Sequence, residues 1–163
     1  MEALFMMTET ERRIAAAQGY IVLSLFADAR QEIAALPAEA TRRTDVIELR
    51  VLCSMGEQQW EAALADALWL CAAEKNEPGG FIHAAYCLHE LGRTSEALTF
   101  LRDGPPSLRK KAVYFYNLGC YSARLGRIQD ALEFLEKAFS KDPALRKSAR
   151  KDPDLAVLRE QLS

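Results

Sequence analysis

The sequence predicts an all-α fold: an α-solenoid of about four antiparallel helix pairs with a C-terminal capping helix. Three observations carry this. Alanines recur every 34 residues, at Ala29, Ala63, Ala97 and Ala131. Their neighbours keep the same register: Phe26, Trp60, Thr94 and Ile128 stand three before, and Ile33, Ala67, Leu101 and Leu135 four after. Two turns repeat almost unchanged, Glu90-Leu91-Gly92-Arg93 and Arg124-Leu125-Gly126-Arg127, each leading into a second helix at Ser95-Glu96-Ala97-Leu98 and Gln129-Asp130-Ala131-Leu132. A fixed period of this kind marks stacked supersecondary units. One helix ends at Leu-Gly, where glycine takes the left-handed conformation cheaply. A small alanine on the next helix lets the two approach closely. A single pair cannot bury its apolar face, so neighbours must stack.

The elements follow in order. Thr8-x-x-Glu11 predicts a capping box opening a first helix that runs to about residue 23. A second covers about 26–36 and stops at Pro37, before a polar loop over 38–43. Helices over about 45–55 and 59–74 come next, and Met55-Gly56, two residues early in the register, predicts a longer turn between them. Asn76-Glu77-Pro78-Gly79-Gly80 reads as a break. Helices over about 81–91 and 95–102 make the third pair. Asp103-Gly104-Pro105-Pro106 breaks again, and Ser107 is expected to cap a helix over about 108–125, with its partner over 128–140. Asp142-Pro143 and Asp152-Pro153 each set an N-cap acceptor before a proline suited to the first helical turn. They predict a short helix over 144–150 and a cap over 153–162, its Leu155, Val157, Leu158 and Leu162 laid on the eighth helix. The domain plan is therefore an apolar N-terminal segment (1–9), one repeat domain (10–143) and capping helices (144–163).

Composition bounds the function. The 163 residues are half hydrophobic and 27% charged, with a formal net charge of -2. That is ordinary globular composition, with no global positive excess for nucleic acid. The charge is uneven: residues 1–100 hold 8 Lys+Arg against 15 Asp+Glu, and residues 101–163 hold 13 against 8. Cys53, Cys71, Cys87 and Cys120 form no CxxC pair and sit in apolar helical stretches, which predicts packed, reduced thiols and a cytoplasmic setting. No export signal or stretch of membrane-spanning length is read. Neither GxGxxG, GxxxxGK nor GxSxG occurs, so the chain carries no phosphate loop or nucleophile elbow. His83 and His89 fall about 120° apart on a helix, and a His83–Cys87 pair lacks further ligands. No catalytic residue, metal ligand or cofactor is expected, and the chain is not read as an enzyme.

The sequence resembles the tetratricopeptide-repeat family. In the copy from Ala112 to Pro143, Phe115, Leu118, Gly119, Leu125, Gly126, Ala131, Leu135, Ala138 and Pro143 match the family pattern, with Ser122 standing where a large aromatic is usual. The copy before it keeps Phe81, Leu88, Leu91, Gly92, Ala97 and Leu101 but has Gly104 for the late alanine. Tyr20 and Phe26 carry the first copy, and Trp60 and Ala63 the second. The resemblance implies a right-handed superhelix with the first helix of each pair lining a concave face. The lining positions are then Ile14, Gln18 and Ile21; Glu48, Leu52 and Met55; Ile82, Tyr86 and His89; and Tyr116, Cys120, Ala123 and Arg124. It further implies a scaffold that binds a protein or peptide segment in that groove, with Tyr86 and Tyr116 as anchors. Asn117 matches one position of the family's carboxylate clamp, but the clamp lysines are missing, so capture of chaperone C-termini is not expected.

Other readings are weaker. Phe81-Ile82-His83-Ala84-Ala85-x-Cys87-Leu88 is faintly similar to class II chaperones of type III secretion, which makes a cytosolic chaperone for a secreted protein the alternative. The turn residues and acidic first hundred residues argue against RNA binding of the pentatricopeptide kind. Arg109-Lys110-Lys111, with Arg124 and Arg127, offers a site for an acidic partner or a phosphate, against the simpler reading of a solvated helix start. Leu4-Phe5-Met6-Met7 offers a route to a homodimer through the N-terminal segment. Neither nucleic acid nor membrane is expected as a partner.

Overall fold

The computed structural model describes residues 7–162, which form helices and no strand. Most of the Leu4-Phe5-Met6-Met7 segment thus lies outside the described residues. The α-helices are α1 (Glu9–Val22), α2 (Phe26–Ala34), α3 (Thr44–Gly56), α4 (Trp60–Ala73), α5 (Pro78–Glu90), α6 (Thr94–Arg102), α7 (Ala112–Arg124), α8 (Ile128–Lys141) and α9 (Leu145–Ala149). Short 3-10 turns cover Ala38–Ala40, Pro106–Lys110 and Pro153–Leu158. The helices divide between two compact units, one ending at Ala73 and one beginning at Glu74.

In the first unit α1 packs on α2, α3 on α4, and α3 against the first pair. Its core joins Ile14, Ala17, Ala29, Leu36, Val46, Leu49 and Cys53, with Tyr20, Ile21 and Ile33 packed against it. Ile14, expected on the concave lining, is a core residue instead. The capping box forms: Thr8 Oγ1 accepts from the Glu11 amide, and the Glu11 carboxylate accepts from the Thr8 amide. In the second unit α5 packs on α6 and α7 on α8, with α7 also touching α5 and α6. The four periodic alanines, Ala29, Ala63, Ala97 and Ala131, are completely buried, as close helix approach requires.

The repeat is clearer in the backbone than in the residues. Residues 24, 58, 92 and 126, each 34 after the last, all take positive φ: Ser24 at 59°, Gln58 at 58°, Gly92 at 78° and Gly126 at 74°. Each ends its helix through the same pair of bonds. The amides of Leu25, Gln59, Arg93 and Arg127 donate to the carbonyls of Tyr20, Ser54, Leu88 and Ser122 at 2.8–2.9 Å. The residue before each donates to Ile21, Met55, His89 and Ala123. This is the glycine-type helix stop, closed four times in register. The longer turn expected after Met55-Gly56 is not formed. Helix α3 runs through Gly56, and Gln58 takes the left-handed place that glycine holds in later copies. Arg30 braces this turn, donating to Glu57 at 2.7 Å, Ser54 at 3.0 Å and Gln59 at 3.1 Å.

A left-handed non-glycine residue costs roughly 1–2 kcal/mol, partly offset because glycine is freer when unfolded. Gln58 is exposed, so little else changes on its replacement. Gln58→Gly is expected to stabilise the chain by about 0.5–1 kcal/mol, and Gly92→Gln to destabilise it. Urea unfolding checks both, and a midpoint lowered by Gln58→Gly would mean its side chain has a role beyond the turn.

Two boundaries differ from expectation. Helix α5 starts at Pro78 rather than after the glycines, because proline at the first helical position lacks only an amide that has no helical partner anyway. Ser107 does not cap α7: its hydroxyl donates to the Asn76 carbonyl at 2.6 Å, residues 106–110 form a 3-10 turn, and Lys111 is extended before α7 begins.

The chain's end differs most. Asp152 does act as an N-cap, accepting from the Asp154 amide, whereas Asp142 accepts from the Ala144 amide in a local turn and α9 starts after Ala144 with no side-chain cap. However, Pro153–Leu158 packs chiefly on α7, the first helix of its pair, rather than on α8. In a 3-10 turn residues i and i+3 share a face. Leu155 and Leu158 are therefore fully buried while Val157 is exposed. Arg150 Nε donates to the Leu162 carbonyl at 3.2 Å, tying the end of this strap to its base.

Candidate functional site

The strap crosses the face where the groove was expected. Tyr86 and His89 on α5 and Tyr116, Asn117, Cys120 and Tyr121 on α7 line one cavity of about 330 Å³ with Asp152, Pro153 and Asp154. On both helices the lining residues recur three and four apart, which puts them on one face. Asp152 is fixed by its own capping role, since Oδ1 accepts from the Asp154 amide at 2.9 Å. Its Oδ2 is left facing α7, where it accepts from the Tyr116 hydroxyl at 2.7 Å and more loosely from the Cys120 thiol at 3.8 Å. Asp154 Oδ2 lies 2.9 Å from His89 Nε2, and its Oδ1 lies 3.7 Å from Arg124 Nε. His89 is held from behind by Thr94 Oγ1 at 3.0 Å and by the ring of Tyr121, with centroids 4.9 Å apart.

The electrostatics are those of a poorly hydrated pocket facing two acids. Burial, together with the Asp152 hydrogen bond, pushes the Tyr116 hydroxyl well above the usual phenol range. Burial, then the charges of Asp152 and Asp154, do the same to the Cys120 thiol. Tyr86 is pushed up to about 12 by burial and then by the Glu90 charge. Tyr86, Tyr116 and Cys120 therefore keep their protons and serve as hydrogen-bond donors. A raised thiol is a poor nucleophile. Cys120 and one oxygen each of Asp152 and Asp154 lie within 4.8 Å of one another, a spacing that could hold a metal ion. A metal there would have to expel the thiol proton and break the bonds from Tyr116 and His89.

Of the residues expected to line the groove, the structure thus gathers Tyr86, His89, Tyr116, Cys120 and Arg124 around the strap. Ile82 stands half-buried on α5, and Glu48, Leu52 and Met55 stand on α3 in the other unit. Sequence reasoning missed Asp152, Asp154 and Tyr121. The signal for the acids was the second carboxylate in Asp152-Pro153-Asp154, which a cap alone does not require. Arg109, Lys110 and Lys111 are exposed, on the turn before α7. The cysteines are free thiols, with Cys53, Cys87 and Cys120 buried. No helix among the described residues is long and apolar enough to cross a membrane.

Residues 112–145, which span α7 and α8, match the tetratricopeptide repeat. Among solved structures the chain is similar to MamA AMB-1, with a TM-score of 0.64 at 16% identity over 82% of this chain and 78% of that one. It is also similar to MamA MSR-1, with a TM-score of 0.66 at 16% identity over 83% and 78%. At this identity the likeness is one of fold, an all-α solenoid of helical repeats. A comparison with curated proteins gives no match.

Proposed function

We propose that this tetratricopeptide-repeat chain is a protein–protein interaction scaffold whose contact surface is the face of α5 and α7 that carries Tyr86, His89, Tyr116 and Arg124. One observation supports the surface: a polypeptide segment, the chain's own 152–154, already lies on it through side-chain bonds. A face that holds one segment of chain has the shape and the donors to hold another. Tyrosines supply wide contact with a polar end, and the arginine supplies a fixed fork of donors. The reading is one of binding and carries no catalytic step.

Ile82 and Tyr86 are four apart on α5, and Tyr86 lines the cavity beside the strap. Affinity capture from native lysate, with bound proteins identified by mass spectrometry, tests the surface with wild type beside Ile82→Ala/Tyr86→Ala. The expected result is a partner held by wild type and reduced at least tenfold with the double variant, whose circular dichroism is unchanged. The same partners retained in full by a folded double variant would move the contact surface elsewhere.

A further inference from the structure

We infer that this face selects an acidic segment of the pattern Asp-Pro-Asp-Leu-x-x-Leu, carried by a partner protein, and that residues 152–158 are its resident intramolecular occupant. The inference rests on the groove reading above and adds the chemistry of the ligand.

The cradle offers donors, and the strap answers with acceptors. Tyr116, Cys120, His89 and Arg124 all point hydrogen-bonding or cationic groups at two carboxylates spaced i, i+2. The spacing is set by the segment itself. The first aspartate caps its own turn with one oxygen and presents the other, proline starts the turn, and the second aspartate follows on the same side. The leucines one and four residues later reach the buried side of the turn. Asp142-Pro143-Ala144 also caps a turn but lacks the second acid, and Asp142 is exposed. Capping by Asp-Pro is thus insufficient to place a segment here. This recognition uses internal side-chain carboxylates and needs no chain terminus.

The resident segment fits the cradle incompletely. Tyr121 is 1% exposed and lines the cavity, yet its hydroxyl has no hydrogen-bond partner among the described residues. Cys120 reaches Asp152 only at 3.8 Å, and Arg124 reaches Asp154 only at 3.7 Å while remaining mostly exposed. A buried donor without an acceptor is costly, so an incoming segment that engages Tyr121 or closes on Arg124 has an advantage to set against the strap. The strap's own advantage is its tether, which acts like a local concentration in the millimolar range. Its occupancy therefore lowers the apparent affinity of any partner by the fraction of time the cradle is open.

The test uses the full chain and a fluorescein-labelled peptide of residues 151–163, read by fluorescence polarisation. Asp152→Asn/Asp154→Asn in the protein removes the resident charges and leaves the leucines. The double variant is expected to bind the peptide at least tenfold more tightly than wild type. A peptide with both aspartates replaced by asparagine is expected to bind the same variant at least tenfold more weakly, and Arg124→Ala added to the variant to weaken the acidic peptide alone. Equal binding of the acidic and asparagine peptides, or no binding by a folded variant, overturns the inference. Should the variant fail to fold, hydrogen exchange on wild type decides: faster exchange at residues 154–158 under saturating peptide supports exchange of the segments, and unchanged protection refutes it. A captured partner that is lost on Ile82→Ala/Tyr86→Ala but not displaced by the acidic peptide would leave the groove standing and remove its acid selectivity. Loss of both effects would remove the groove itself.

Discussion

Leu155→Ala is expected to lower the unfolding free energy by about 2–5 kcal/mol, the usual cost of truncating a fully buried leucine. Leu155 is at 0% exposure in a turn that packs on α7. Removing its branched end leaves a gap that a 3-10 turn, pinned by Asp152 at one end and Arg150 at the other, cannot easily close. Val157, two residues on, is the internal control: it is 59% exposed, and Val157→Ala is expected to stay within about 0.5 kcal/mol of wild type. Urea unfolding of the two variants separates a docked strap from a loose one. Equal, small effects at both positions would show that the strap does not contribute to the folded core, and the cradle would then stand open.

Gly56→Ala is the second large effect expected, a loss of about 1–3 kcal/mol from overpacking. The substitution would ordinarily help a helix, since alanine is the better helix former by up to about 1 kcal/mol. Here the added methyl would overlap the ring edge of Phe26 on α2. Gly19 in α1 provides the contrast, because a methyl there meets nothing within 4 Å, and Gly19→Ala is expected to stabilise. Pairing Gly56→Ala with Phe26→Leu should recover much of the loss, since the two groups compete for one space. Strict additivity in that cycle would mean the ring is not what confines Gly56.

These two positions also show what could be read from the chain alone. Phe26 and Ala29 announced a close helix crossing by their place in the 34-residue register, and the crossing is there. Gly56 reads as a turn residue because glycine usually marks one, whereas its task is to make room for Phe26. The turn fell to Gln58, whose residue type gives no hint of positive φ. Similarly, Asp152-Pro153 was legible as a helix start because a cap is a local device, settled within three residues. Where the capped turn would dock depended on which helix offered donors, Tyr116, His89 and Arg124, at separations of about 30 to 65 residues along the chain. Pattern within a segment carries the first kind of information and not the second. Val157 makes the same point on a smaller scale: a helical period placed it beside Leu155 and Leu158, and the tighter 3-10 turn rotated it into solvent.

The four left-handed turn residues have a consequence for where this chain stores strain. Gly92 and Gly126 hold the left-handed state at no steric cost, whereas Ser24 and Gln58 occupy the same backbone state with a side chain. Residue type thus differs among the four turns while the path of the main chain is the same. Each non-glycine turn carries a small standing strain, tolerated because the surrounding helix pair dictates the turn. Such strain is a recoverable reserve, so Ser24→Gly together with Gln58→Gly should melt at a higher temperature than wild type.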